Sequence, residues 1–141
     1  MTLSTYLFFD GQCAEAFDFY KSVFGGEFTV IQTFADGPPE MGVPDAEKEK
    51  IMHVSLPVGE AVLMGSDTVS HQGEPPKPGN SFAISYSPPT KQDADIAFPK
   101  LADGGSVSME LQETFWGSYF GMCKDKFGVS WMVNVDIGQP K

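Results

Sequence analysis

Apolar positions along this chain recur with two different periods, and the two periods alternate in the same order twice. "STYLFFDG" is a short apolar run closed by a turn. In "CAEAFDFYKSVFGG", Cys13, Phe17, Tyr20 and Phe24 fall on one face at helical spacing. Gly25 and Gly26 then end the helix, because glycine enters the left-handed conformation without steric cost. "EFTVIQTF" alternates as a strand does, with Phe28, Val30 and Gln32 opposing Thr29, Ile31 and Thr33. "ADGPPEMGVPDAEKEK" is rich in Pro, Gly and charge and predicts a long surface loop. "KIMHVSLPVGEAVLMGSD" predicts two strands around a turn at "PVGE". "TVSHQGEPPKPGN", which carries His71, is punctuated by prolines and predicts a linker.

The second half repeats this plan. "NSFAISYSPP" predicts a strand and "TKQDADIAFPKLADGG" a helix, with Thr90 and Asp93 as a capping box. Ala94, Phe98 and Leu101 share one face of that helix, and Pro99 should kink or interrupt it. Gly104 and Gly105 close it, as Gly25 and Gly26 close the first. "SVSMELQETFWG", "SYFGMCKD" and "VSWMVNVD" supply three more strands, with "GMCKDKFG" as a hairpin turn. The expectation is therefore an α+β fold in one domain spanning residues 1–141, built from two βαβββ modules. Module one covers about 1–68, the linker about 69–79, and module two about 80–137.

A βαβββ module covers one sheet face with its helix, and the other face must be buried or line something. Parity along the strands sorts the residues. Met52, Val54 and Leu56, with Phe82, Ile84 and Tyr86, are expected beneath the helices. So are Val107, Met109 and Leu111, and Trp131, Val133 and Val135. The smaller, more polar sets are expected on a concave side where a small ligand would bind. Those are Ile51, His53 and Ser55; Ser81, Ala83 and Ser85; Ser108, Glu110, Gln112 and Thr114; and Ser130, Met132 and Asn134.

Charge narrows the partners. The formal net charge is −10, and all nine basic residues are lysine. Such a surface repels a phosphate backbone, so no nucleic-acid partner is expected. Without arginine, the usual bidentate clamp for phosphate, phosphonate or carboxylate is missing, and an anionic ligand must use Lys, backbone N–H groups or a metal. No apolar run reaches membrane-spanning length, so no membrane partner is expected. The first residues lack a basic flank and lead into a strand pattern, which does not read as a signal peptide. A cytoplasmic location is therefore expected, with Cys13 and Cys123 as reduced, packed thiols. No GxSxG, P-loop or GxGxxG pattern stands on a strand–helix turn.

The paired βαβββ plan resembles the vicinal oxygen chelate superfamily, which includes glyoxalase I, bleomycin-resistance proteins and extradiol dioxygenases. "YLFFDGQCAEAFDFYKSVFGG", "IMHVSLPVGEAVLMGSD" and "QETFWGSYFG…DKFGVSWMVNV" resemble its PhnB-like branch. The resemblance implies two curled sheets forming a cup around a ligand, and a homodimer. It also implies, in the enzymes, a divalent metal held by His, Glu or Gln from four strands. Carried over residue by residue, those positions fall on Thr5, Met64, Ser81 and Met132. None is a normal ligand for Zn²⁺, Ni²⁺ or Fe²⁺, and the neighbours Tyr6, Leu63, Phe82 and Trp131 do not supply one. No metal and no cofactor are therefore expected. Some members of the branch have carried a methyltransferase label, for which this chain lacks the glycine-rich parallel βαβ array.

The expected ligand pocket comprises Thr5, His53, Ser55, Met64, Ser66, Ser81, Glu110, Gln112, Trp116, Met132 and Asn134. His53 is either a structural hydrogen-bonding residue or a general base oriented by Glu110 or Asp67. Glu110 is either a buried, perturbed carboxylate or a solvated rim residue. Met64, Met122 and Met132 fill a core or form a thioether pocket. Trp116, Tyr119 and Phe120 suit either stacking on a planar ligand or a dimer interface. The leading functional expectation is a metal-free binder of a small, partly apolar or aromatic molecule, acting by sequestration as bleomycin-resistance proteins do. The alternatives are a metal-dependent lyase or dioxygenase of glyoxalase type, or an acid–base enzyme using His53 and Glu110. A third reading is a dimeric scaffold whose cup is filled by its own side chains.

Overall fold

The computed structural model describes residues 1–70 and 73–138, so His71 lies outside the described residues. The chain forms two compact units, Met1–Lys77 and Pro78–Lys141. In the first, β1 (Thr5–Phe9), α1 (Cys13–Phe24), β2 (Val30–Thr33), β3 (Ile51–Val58) and β4 (Ala61–Asp67) make a four-stranded sheet of order β1-β4-β3-β2. In the second, β5 (Ile84–Tyr86), α2 (Lys91–Ala102), β6 (Ser106–Glu113), β7 (Ser118–Lys124) and β8 (Ser130–Asp136) repeat it in the order β5-β8-β7-β6. Each first strand runs parallel to its neighbour and the other pairs are antiparallel. Both sheets are mixed and open, and the α+β expectation and the internal repeat hold.

The helices bury the faces that their periodicity marks. Cys13, Ala16, Phe17 and Tyr20 of α1 are buried, as are Ala94, Ala97, Phe98 and Leu101 of α2. Each helix presses a phenylalanine onto a strand glycine. A Cβ at Gly65 would stand 2.6 Å from the Phe17 ring, and one at Gly121 would stand 2.9 Å from the Phe98 ring. The partner across the ladder is a buried valine in both units, Val54 opposite Gly65 and Val133 opposite Gly121. The valine–glycine pair is inverted between the units: the glycine is on the last strand of the first unit and on the penultimate strand of the second.

The two helices start differently. Thr90 caps α2 locally, its Oγ1 accepting from the Asp93 N–H at 3.1 Å. Before α1 stands Gln12, whose side chain makes no cap. The carboxylate of Asp67, at the end of β4, serves instead. Its two oxygens accept from the N–H groups of Cys13 (3.0 Å) and Ile51 (2.9 Å). Asp67 thus ties the helix start to two strands from a site only 2% exposed. In the second unit the buried Asp125 holds the β7–β8 turn, accepting from Phe127 N, Val129 N and Trp131 Nε1.

Four expectations need correction. Pro99 does not interrupt α2, which continues to Ala102. Pro99 and Asp95, the residue four positions before it, are both exposed, so the carbonyl that loses its partner can face water. The strand expected from Asn80 is paired only over Ile84–Tyr86, because β8 begins at Ser130 and offers no ladder before it; Phe82 is 68% exposed rather than under a helix. β6 breaks parity at two irregularities, between Val107 and Met109 and between Met109 and Gln112. These put Met109 opposite Met122 and leave only Leu111 packed toward Phe98's neighbour Gly121. A register shift opposite Gln32/Thr33 likewise buries Ile51 in place of Met52. The loop between β2 and β3 contains three short 3₁₀ turns, and Glu47 pins it through Ser70 and Lys50.

Removing the Asp67 carboxylate leaves two buried N–H groups without a partner. Asp67→Ala is expected to lower unfolding free energy by on the order of 3 kcal/mol. The exposed Asp18→Ala should change it by less than about 0.5 kcal/mol. Urea denaturation checks this, and equal midpoints for the two variants would refute the long-range cap.

Candidate functional site

The face of each sheet away from its helix follows from the pairing register. In the first unit two cross-strand rows lie on that face, with Ser55 and Ser66 themselves buried and Tyr6 and Phe8 exposed. One runs Tyr6, Met64, Ser55, Val30; the other runs Phe8, Ser66, His53, Gln32. Tyr6 is 37% and Phe8 58% exposed, with ring centroids 5.1 Å apart. The Tyr6 ring stacks on His53 at 5.7 Å. Both imidazole nitrogens are engaged: Nδ1 lies 3.2 Å from the Tyr6 hydroxyl and Nε2 lies 3.0 Å from Ser55 Oγ. The result is a shallow aromatic platform with one imidazole held edge-on by two hydroxyls.

The matching face of the second unit is softer. Ser85, Met132, Met122 and Met109 form one row across all four strands. Asn134, Phe120 and Gln112 form the next. Trp116, in the turn after β6, brings its ring to 6.0 Å from Phe120 and remains 49% exposed. Beyond the methionine row lies a third, Ser106, Lys124 and Ser130, bordering a groove of about 420 Å³.

Among the residues expected to line a pocket, the open face of the first unit carries His53, Ser55, Met64 and Ser66. That of the second carries Gln112, Met132 and Asn134, with Trp116 beside them. Thr5 is on the other face, opposite the buried Leu63 and in phase with the buried Leu7 and Phe9. The open-face neighbour of Met64 is Tyr6. An unbroken apolar run, "YLFF", carries no parity signal from which this could be read. Ser81 precedes β5 and borders the groove, while Ser85 stands opposite Met132. Glu110 is exposed at the second irregularity of β6, which places it with the solvated rim.

Two expected partnerships are not formed. Asp67 faces α1 and its oxygens are committed to backbone, so it does not orient His53. Tyr119 is on the helix-facing side, where its hydroxyl donates to Asp95 of α2 and Lys91 lies over its ring. That leaves Trp116 as the accessible ring, packed edge-on against the buried Phe120. Sequence reasoning missed Tyr6, Phe8 and Lys124 as open-face residues. For Lys124 the signal was present, since it alternates in phase with Met122 and Phe120.

The donor set can be tested against the metal that the resemblance implies. Tyr6 and Met64 in one unit, and Ser85 and Met132 in the other, are a phenol, two thioethers and a hydroxyl. They do not fit a divalent transition metal, which needs imidazole, carboxylate or thiolate. Among the described residues, no three His, Cys, Asp or Glu side chains converge as a metal site would require. Both cysteines are buried. Burial, and secondarily the charge of Asp125, push the Cys123 thiol from 9.0 up to about 11. Burial and Asp67 push Cys13 up as well.

Comparison with known proteins gives a consistent picture. The family model of the Glyoxalase/Bleomycin resistance protein/Dioxygenase superfamily matches residues 2–133. Protein YjdN of Escherichia coli K12 is 32% identical, with 99% of each chain covered. The crystal structure of PA1353 from Pseudomonas aeruginosa is 41% identical, covering 96% of this chain and 98% of its own, with a TM-score of 0.84. The PhnB protein of Bacillus cereus is 25% identical, covering 96% and 99%, with a TM-score of 0.75.

Raised thiol pKa values fix the sign of a pH effect. The folded state resists thiolate formation, so this contribution to stability is whole below the unfolded value of 9.0 and is lost as pH rises through the folded value near 11. Stability measured by urea should fall between pH 9 and 11, and a Cys13→Ala/Cys123→Ala double variant should lose less over that range. Equal losses would contradict the assignment.

Proposed function

The chain belongs to the Glyoxalase/Bleomycin resistance protein/Dioxygenase superfamily, and we propose that within it this protein binds a small, partly apolar or aromatic molecule on the open faces of its sheets, without a metal. One observation carries the reading. The first unit's open face exposes Phe8 (58%) and Tyr6 (37%), and Trp116 (49%) is exposed in the turn beside the second unit's open face. Leaving such surface in water is unfavourable by about 25 cal/mol per Å², and a planar ligand would cover it by stacking. Sequestration is the mechanism this supports. The homodimer and the cytoplasmic location expected from the sequence belong to the same proposal.

A second reading is acid–base chemistry at His53, favoured by the hydroxyls of Tyr6 and Ser55 at its two nitrogens. Either could fix the tautomer and leave the ring able to exchange a proton with a bound molecule. Glu110 gives it no support, being exposed on β6. A metal-dependent lyase or dioxygenase reaction lacks fitting donors at Tyr6, Met64, Ser85 and Met132.

Thermal-shift titration with a naphthoquinone tests binding. At a ligand concentration 100 times Kd, stabilisation of about 2.7 kcal/mol is expected, raising Tm by roughly 5–10 °C. Trp116→Phe should keep the shift and abolish most ligand-induced fluorescence quenching, because the other tryptophan, Trp131, is only 2% exposed. No shift from any planar aromatic probe, or one equivalent of Zn, Ni or Fe in purified protein, would refute the proposal.

A further inference from the structure

The groove at the end of the second unit's open face points to a subsite for the carboxylate of a small monoanionic ligand with an apolar body. This inference rests on the binding function proposed above and gives the ligand a chemical class. The observation that carries it is the row Ser106, Lys124, Ser130, which the register aligns across β6, β7 and β8. Directly opposite residues on one sheet face stand about 5 Å apart, so the Lys124 side chain rises from the sheet between two serines. Ser81, from the segment before β5, adds a third hydroxyl at the groove's edge.

The electrostatics of the groove run against those of the chain. The protein has 19 acidic residues and nine basic ones, yet no Asp or Glu lines this groove and one Lys does. Five other lysines (Lys21, Lys48, Lys50, Lys77 and Lys91) form ion pairs with Asp or Glu. Lys124 makes no ion pair among the described residues and is half-buried. The carboxylate of Asp125, next in sequence, is turned away and occupied by Phe127, Val129 and Trp131. A cation left unpaired in a concave, acid-free setting suits an incoming anion.

One charge also sets the ligand's valence. With a single ammonium, no arginine and a net charge of −10, a phosphate dianion would be left half-neutralised, whereas a carboxylate would be matched. The next row inward, Met122 with Met132 and Met109, gives the apolar body of the same molecule a polarizable thioether surface. Phe82, 68% exposed, adds an aromatic ring to the groove's lining.

The test compares 2-naphthoate with 2-naphthamide, by calorimetry on the full-length protein at low salt. The carboxylate should bind about tenfold more tightly than the amide, and Lys124→Met should erase that difference. Lys124→Arg should retain most of it. The backbone amide resonances of Ser106, Lys124 and Ser130 should shift with naphthoate more than with the amide. If both probes bind equally, or Lys124→Met does not alter their ratio, the carboxylate subsite is wrong and the aromatic-binding reading stands. If neither binds, both fall. Tighter binding of naphthyl phosphate than of naphthoate would overturn the monoanion assignment.

Discussion

One helix cannot cover two faces of a sheet. Four strands at about 4.8 Å spacing make a sheet roughly 15–19 Å wide, and an α-helix with its side chains is about 10 Å across. Each unit has one twelve-residue helix, seated by a phenylalanine on a strand glycine. That contact fixes which face is core. It also explains why apolar residues in phase with the core on the outer strands stay accessible. Ile31 on β2 is 52% exposed and Val107 on β6 is 40% exposed, although their neighbours Val54 and Cys123 are buried. The opposite face of each sheet is left without a helix of its own unit over it.

The duplication repeats the scaffold and diversifies what the scaffold presents. Equivalent rows carry Tyr6, Met64, Ser55 and Val30 in the first unit and Ser85, Met132, Met122 and Met109 in the second. The first is aromatic with a held imidazole; the second is thioether-rich and ends at a lysine. The buried carboxylates show the same divergence. Asp67 completes a helix start for which Gln12 provides no cap, while Asp125 organises a hairpin turn. Superfamily membership accounts for the scaffold, and Tyr6, Met64, Ser85 and Met132 bring neither imidazole nor carboxylate to their rows.

Much of this was legible in the sequence because one constraint generated two periodicities. The helices, their buried faces and the parity of β8 follow from spacing alone. So does the open-face placement of His53, Ser55, Met132 and Asn134. The failures have local causes. "YLFF" is apolar at every position, so Thr5 and Tyr6 could not be assigned to faces by alternation. β6 has two irregularities that no composition signal announced, which moved Met109 to the open face and Glu110 to the rim. β5 was overextended because the point at which β8 begins decides where pairing stops. The long-range role of Asp67 joins residues 54 and 16 positions apart, beyond the reach of any local pattern.

The central claim is that ligand contact is confined to the sheet faces opposite the helices, and methionine methyl groups report on it directly. Met64, Met109, Met122 and Met132 stand on those faces, whereas Met41 and Met52 meet near Gly37 in the loop after β2. In a methyl-labelled sample titrated with the neutral probe 2-naphthol, resonances of the first group should move and broaden while those of Met41 and Met52 stay fixed. Movement of Met41 and Met52 with the four open-face methyls unchanged would contradict the account.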